Sequence, residues 1–144
     1  MRSPVLIRVD SRQTDPDGRT DDISAEYEGN MFQKDGVCVL SYEETADGGP
    51  VKCMIKIYDD RIELGKKGKL SYNMVFREGM RNPVSYGTIY GIVPMTVEAT
   101  SLNVTRDIST GVCVEVQYRL DMGGGYVLKC GMRLNAEPTE DDRS

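Results

Sequence analysis

The chain has 144 residues, a net charge of −5, no histidine and no tryptophan, with 39% hydrophobic and 28% charged residues. That length suits one domain burying roughly two-thirds of its unfolded surface, and the composition is that of a globular chain. The missing histidine excludes Ser-His-Asp and Cys-His catalysis and histidine metal sites, and the scattered basic residues (Arg8, Lys56, Lys67, Arg119) do not form the patch that nucleic acid or an anionic membrane requires.

Period-two alternation runs along almost the whole chain and predicts strands. Over 4–11, Val5, Ile7 and Val9 share a face opposite Arg8 and Asp10. Over 22–32, Ile23, Ala25, Tyr27, Gly29 and Met31 alternate with Asp22, Ser24, Glu26, Glu28 and Asn30. Residues 37–44 set Val37, Val39 and Ser41 against Cys38, Leu40 and Tyr42, apolar on both faces. Residues 51–58 set Val51, Cys53, Ile55 and Ile57 against Lys52, Met54, Lys56 and Tyr58.

Ile62 and Leu64 make a short strand. Leu70, Tyr72, Met74 and Phe76 share the next apolar face, followed by a short piece near 84–89. Val93, Met95, Val97 and Ala99 come next, then Val112 to Leu120, then Leu128, Cys130, Met132 and Leu134. Asp17-Gly18, Asp35-Gly36, Gly48-Gly49-Pro50, Gly65 to Gly68, Asn82-Pro83, Gly111 and Gly123-Gly124-Gly125 separate the runs, with the residue types that tight turns need. Short links between sequential strands favour antiparallel neighbours. Closure would hide the sheet edges. The expected fold is all-β: a closed antiparallel meander barrel of about 8–10 strands, with a sandwich as the alternative. Residues 1–137 are expected to form one domain and 138–144 an acidic, disordered tail.

No catalytic residues emerge, and the reading is of a protein that is not an enzyme and needs no cofactor. Cys38, Cys53, Cys113 and Cys130 contain no C-x-x-C pair, so no metal site is assigned and they read as free thiols. The carboxylate pairs Asp21-Asp22, Glu43-Glu44 and Asp59-Asp60 read as solvated turn charge. Asp15-Pro16-Asp17-Gly18 reads as a turn rather than a calcium loop. The glycine triplet at 123–125 reads as a hairpin loop, because a strand and not a helix follows it.

By parity the interior of the barrel receives Tyr27, Met31, Tyr72, Met74, Phe76, Met95, Tyr118 and Met132. These either fill the barrel or line a pocket for a small hydrophobic or amphipathic molecule. Tyr42 and Glu43 are assigned to the rim. Leu40, Tyr42, Met54, Tyr58, Val75, Tyr86 and Tyr90 fall on the outer face, where a cluster could seat a partner or a second copy in a homodimer. The apolar stretch Val5-Leu6-Ile7 is too short for a signal peptide, and no segment approaches the roughly 20 apolar residues of a membrane span. A cytoplasmic protein is therefore expected.

Three stretches together resemble the YwiB-like bacterial proteins, a domain-of-unknown-function family with a calycin-type, lipocalin-like β-barrel. They are Tyr27-Glu28-Gly29 through Val39 to Glu44; Phe76-Arg77-Glu78-Gly79 through Tyr90-Gly91-Ile92-Val93-Pro94 to Thr100; and Val116 to Asp121 into the last strand. Pro94 departs from the expected pattern in the strand after the Tyr-Gly turn. The resemblance implies a closed barrel in a small cytosolic protein and transfers no activity and no site residues. Calycins at large bind small hydrophobic molecules, which is analogy at the level of the fold.

Overall fold

The computed structural model describes residues 2–46, 49–68, 71–88, 90–107 and 111–139. Predicted features at Gly48, at Leu70 and in the tail at 140–144 lie outside them. Ten strands follow in chain order: β1 (Arg2–Thr14), β2 (Thr20–Lys34), β3 (Val37–Ala46), β4 (Gly49–Ile57), β5 (Ile62–Lys67), β6 (Tyr72–Phe76), β7 (Arg81–Thr88), β8 (Gly91–Asp107), β9 (Gly111–Asp121) and β10 (Val127–Pro138). The spatial order is β6-β5-β4-β3-β2-β1-β10-β9-β8-β7, every ladder between neighbouring strands antiparallel. A meander whose first and last strands pair has its open ends at β6 and β7. These meet through Ser71 and Gly87, whose backbone amides donate to each other's carbonyls at 3.0 and 2.7 Å. The Asn82 side-chain amide adds a bond to the Val75 carbonyl. The result is a nearly closed, lipocalin-like barrel.

Turn chemistry matches several of the predicted breaks, with two corrections: Asn82-Pro83 lies inside β7, where both residues pair with β8, and Gly65 lies inside β5, which runs on to Lys67. Asp35 and Gly36 both hold positive φ, the two-residue hairpin geometry that follows the strand twist. Asp15 Oδ1 accepts the amides of Asp17 and Arg19 at 2.9 Å, so the Asp-Pro-Asp-Gly segment is an Asx-type turn. At the other end of the chain the Thr139 amide bonds the Pro4 carbonyl, so the start of the expected tail is tied to β1.

The alternation holds in most strands, with two corrections. In β3, the strand apolar on both faces, Cys38, Leu40 and Tyr42 point inward and Val39 outward. The register decides this, because Leu40 stands beside Met31 and Ile55 of the inner rows. Leu40, Tyr42 and Tyr86 thus leave the predicted outer face, while Met54 and Tyr90 are exposed there. In β8 a bulge between Ala99 and Ser101 shifts the inward set from Val97 and Ala99 to Leu102 and Val104. The strand continues to Asp107, well beyond Ala99, the last residue of the predicted apolar run. Pro94 pairs with Ser85 of β7, and the ladder with β9 begins only at Thr96. The missing amide therefore falls where one side of the strand is free.

An antiparallel meander places its turns alternately at two ends. The end with the β2–β3, β4–β5, β6–β7 and β8–β9 turns is packed solid by Cys38, Ile57, Ile62, Phe76, Val112 and Ala136. Midway along the barrel, Gly29 lets β2 pack closely against its neighbours β1 and β3. A Cβ on it would lie 2.8 Å from Ile7 Cδ1 and 3.1 Å from Tyr42 Cβ. Gly29→Ala is expected to destabilise the fold by about 1–3 kcal/mol through overpacking, read as a lower urea midpoint with an unchanged slope.

Candidate functional site

The opposite end, with the β1–β2, β3–β4, β5–β6, β7–β8 and β9–β10 turns, is built differently. One register row runs Gly29, Tyr42, Cys53, Lys66 and Tyr72 across five strands, all on the inner face. One inward position further along β3 stands Glu44, opposite the buried Val51. Lys66 Nζ donates to both carboxylate oxygens of Glu44 at 2.9 Å, with the two side chains only 18% and 23% exposed. Both residues are drawn into the barrel by strand parity. Lys66 belongs to β5 rather than to the glycine-rich break predicted at 65–68.

Aromatic rings frame this pair. Tyr27 stacks on Tyr42 with centroids 4.7 Å apart, and Tyr72 stacks on Tyr86 at 5.4 Å. Lys66 Nζ lies 5.8 Å from the Tyr72 centroid, within cation–π range. Deeper in, Tyr118 packs on Phe76 at 4.7 Å. Tyr27, Tyr72, Tyr86 and Tyr118 are partly buried, so the mouth keeps contact with solvent above an apolar floor.

Electrostatics follow from that half-dry setting. Burial pushes the Tyr42 hydroxyl pKa far up, helped by the Cys53 thiol and Glu44. Burial likewise lifts Cys53 to about 11, again with help from Glu44, and lifts Cys130 to about 11. Burial works against the Lys66 charge, yet the neighbouring Tyr72 hydroxyl and the Glu44 carboxylate outweigh it and raise its pKa. The mouth therefore holds a charged pair, neutral thiols and neutral tyrosine hydroxyls. That set suits binding and orienting a molecule; nothing in it is activated as a nucleophile.

Among the residues assigned from sequence to the interior, Met74, Phe76 and Met95 are buried in the core, while Tyr27, Met31, Tyr72, Tyr118 and Met132 pack against it partly buried. Of these, Tyr27 and Tyr72 both stand at the mouth, stacked on Tyr42 and Tyr86 respectively. The rim assignment changes: Tyr42 is buried inside, and Glu43 lies on the outer face. Glu44, read as solvated turn charge, and Lys66 are the residues sequence reasoning missed. Extending the inward parity of Ile62 and Leu64 past Gly65 would have pointed to Lys66; parity could not find Glu44, because its strand is apolar on both faces.

A concavity of about 770 Å³ lies on the outer face of β2 to β6. Its charges are mixed: Glu43 stands opposite Lys52 and Lys56 opposite Glu63, while Lys52 also stands opposite Lys67. Among the described residues no group of three or more Cys, Asp and Glu is arranged to hold a metal ion. No helix of the described residues is long and apolar enough to cross a membrane.

The raised thiol and tyrosine pKa values make stability depend on alkaline pH. The folded state keeps protons that the unfolded chain gives up first, so the contribution is complete below the ordinary thiol value of about 9 and is lost as pH rises through about 11. Urea midpoints measured from about pH 8 to about pH 11 should fall steadily across that window, and Cys53→Ala should flatten the slope.

Comparison with known proteins completes the picture. The crystal structure of the ywiB protein from Bacillus subtilis superimposes with a TM-score of 0.78 at 22% identity, covering 96% of this chain and 94% of that one. At that identity the likeness establishes the fold. No curated protein matches the chain. The sequence profile described as "Domain of unknown function (DUF1934)" matches residues 7–134, nearly the whole barrel, and the chain belongs to that YwiB-like family.

Proposed function

We propose that the protein is a non-catalytic, cytosolic binding module that takes a small amphipathic molecule at the mouth of the barrel. The observation that carries this reading is the Glu44–Lys66 pair, held inside the barrel wall among tyrosines and above an apolar floor. A charged pair taken partly out of water is a weak source of stability, since desolvation opposes the attraction. A polar head group has donors and acceptors to meet there, and stacked tyrosines offer flat apolar walls for the remainder of the ligand. The solid packing at the far end limits such a ligand to the mouth, in contrast to a barrel hollow throughout.

The anionic dye 8-anilinonaphthalene-1-sulfonate, an apolar body with one charged head, tests this. It should saturate a single site, with Lys66→Met weakening it about tenfold, a loss of about 1.4 kcal/mol, and Lys66→Arg retaining most of it. Absence of dye binding, together with native mass spectra free of any co-purifying small molecule, would count against the reading.

A second reading, self-association, is favoured by a collar of exposed apolar residues at the same end. Tyr90 (93% exposed), Ile92 and Val93 of the β7–β8 hairpin stand beside Met122 and Tyr126 of the β9–β10 turn. Light scattering should then give a dimer that Ile92→Asp converts to monomer; a monomer at all concentrations removes this reading.

A further inference from the structure

We propose that the free edge of β2 is a strand-pairing site for an extended segment of another protein in which basic and apolar residues alternate. β1 accompanies β2 through to Thr14–Thr20, but the ladder between β2 and β3 ends at Gly29–Tyr42. Beyond Tyr42, β3 pairs only with β4, through to Ala46. Among the described residues, the nine from Thr20 to Glu28 are therefore paired on one side only, and β2 has no neighbours in the sheet besides β1 and β3. Other single-sided stretches among the described residues include Glu43–Ala46 of β3, the end of β8 from Ser101 to Asp107, and the facing edges of β6 and β7; the stretch in β2 is backed along its full length by β1.

This edge is held in shape before any partner arrives. Arg12 grips Asp22 through two bonds of 2.7 and 3.1 Å, the Ser24 hydroxyl donates to Asp10, and Thr14 and Thr20 share a hydroxyl bond of 2.9 Å. A straight, backed strand with one row of open amides and carbonyls offers main-chain hydrogen bonds to an added strand, and its side chains select the sequence.

Side chains on the two faces of the edge define that sequence. On the outer face Asp22, Ser24, Glu26 and Glu28 stand at alternate positions; on the β1 side Arg12 and Arg8 face Asp22 and Glu26 in register, so on the open side a basic strand would continue the alternation of charge from strand to strand. On the other face stand Ile23, 65% exposed, and Ala25. A second copy would set carboxylates against carboxylates, which is destabilising for directly opposed like charges. An added strand with Lys or Arg on one face and aliphatic residues on the other gives opposite-charge cross-strand pairs and covers Ile23.

The test uses the full chain and three synthetic peptides as long as the open edge: alternating Lys and Val, alternating Glu and Val, and the Lys–Val peptide with alternate amides N-methylated. Hydrogen exchange read by mass spectrometry should slow about tenfold across Thr20–Glu28 with the Lys–Val peptide alone. Glu26→Lys combined with Glu28→Lys should abolish that protection and transfer it to the Glu–Val peptide. Lys66→Met should leave it unchanged, which separates this site from the mouth. The proposal is overturned by absence of protection at this segment, or by equal protection from the N-methylated peptide, which would mean adhesion by charge alone. Concentration-dependent protection of the segment in the chain by itself would also overturn it, by making a second copy the occupant.

Discussion

Closure between β6 and β7 is the constraint on which the remainder depends. Ten strands in sequence order place two edges at the ends of the sheet, and only their meeting turns a curved sheet into an interior. That meeting is narrow: a pair of backbone bonds between Ser71 and Gly87 and one side-chain bond from Asn82 to Val75. Its stability comes from behind it, because Phe76, Val84, Met95 and Val97 are buried only when the seam is shut. Burial of such side chains stabilises by roughly 1.5–3 kcal/mol each. A weak seam thus holds because the core on both sides demands it.

Closure also makes the two ends unequal. At one end aliphatic side chains and Phe76 fill the space, and Arg106 reaches over the wall to Asp59 at 3.2 Å. At the other, strands of unequal length leave the seam between β2 and β3 unzipped above Gly29 and Tyr42. Water reaches inward-facing positions there, which is why a glutamate and a lysine can occupy them. Deeper in the barrel the same two side chains would carry a desolvation cost that one ion pair does not repay. The polar mouth and the free edge of β2 are two consequences of one geometric fact, the early end of the β2–β3 ladder.

Legibility of the sequence varied by strand for physical reasons. Where one face meets core and the other meets water, as in β4 with Val51, Cys53, Ile55 and Ile57, alternation names the inner face directly. In β3 both faces are apolar, since Val39 is covered from outside although it points away from the core. Alternation then gives a strand without an orientation, and Leu40 and Tyr42 are misassigned. In β8 the bulge at Ala99 reverses the parity midway, and a period-two reading stops there although the strand continues to Asp107.

The sequence by itself determined the all-β class, the antiparallel order of short-linked strands and most turn positions. These depend on local matters: the pleat's period of two, positive φ at Asp-Gly and Gly, and the length a parallel crossover needs. Only the tertiary structure decided that Glu44 and Lys66 face each other, since they lie 22 residues apart and meet through two intervening ladders. Likewise, only the folded barrel shows where a ladder stops, leaving Thr20–Glu28 with a single partner. Such facts belong to register between distant strands, and register is set by the packing of the whole interior rather than by any one segment.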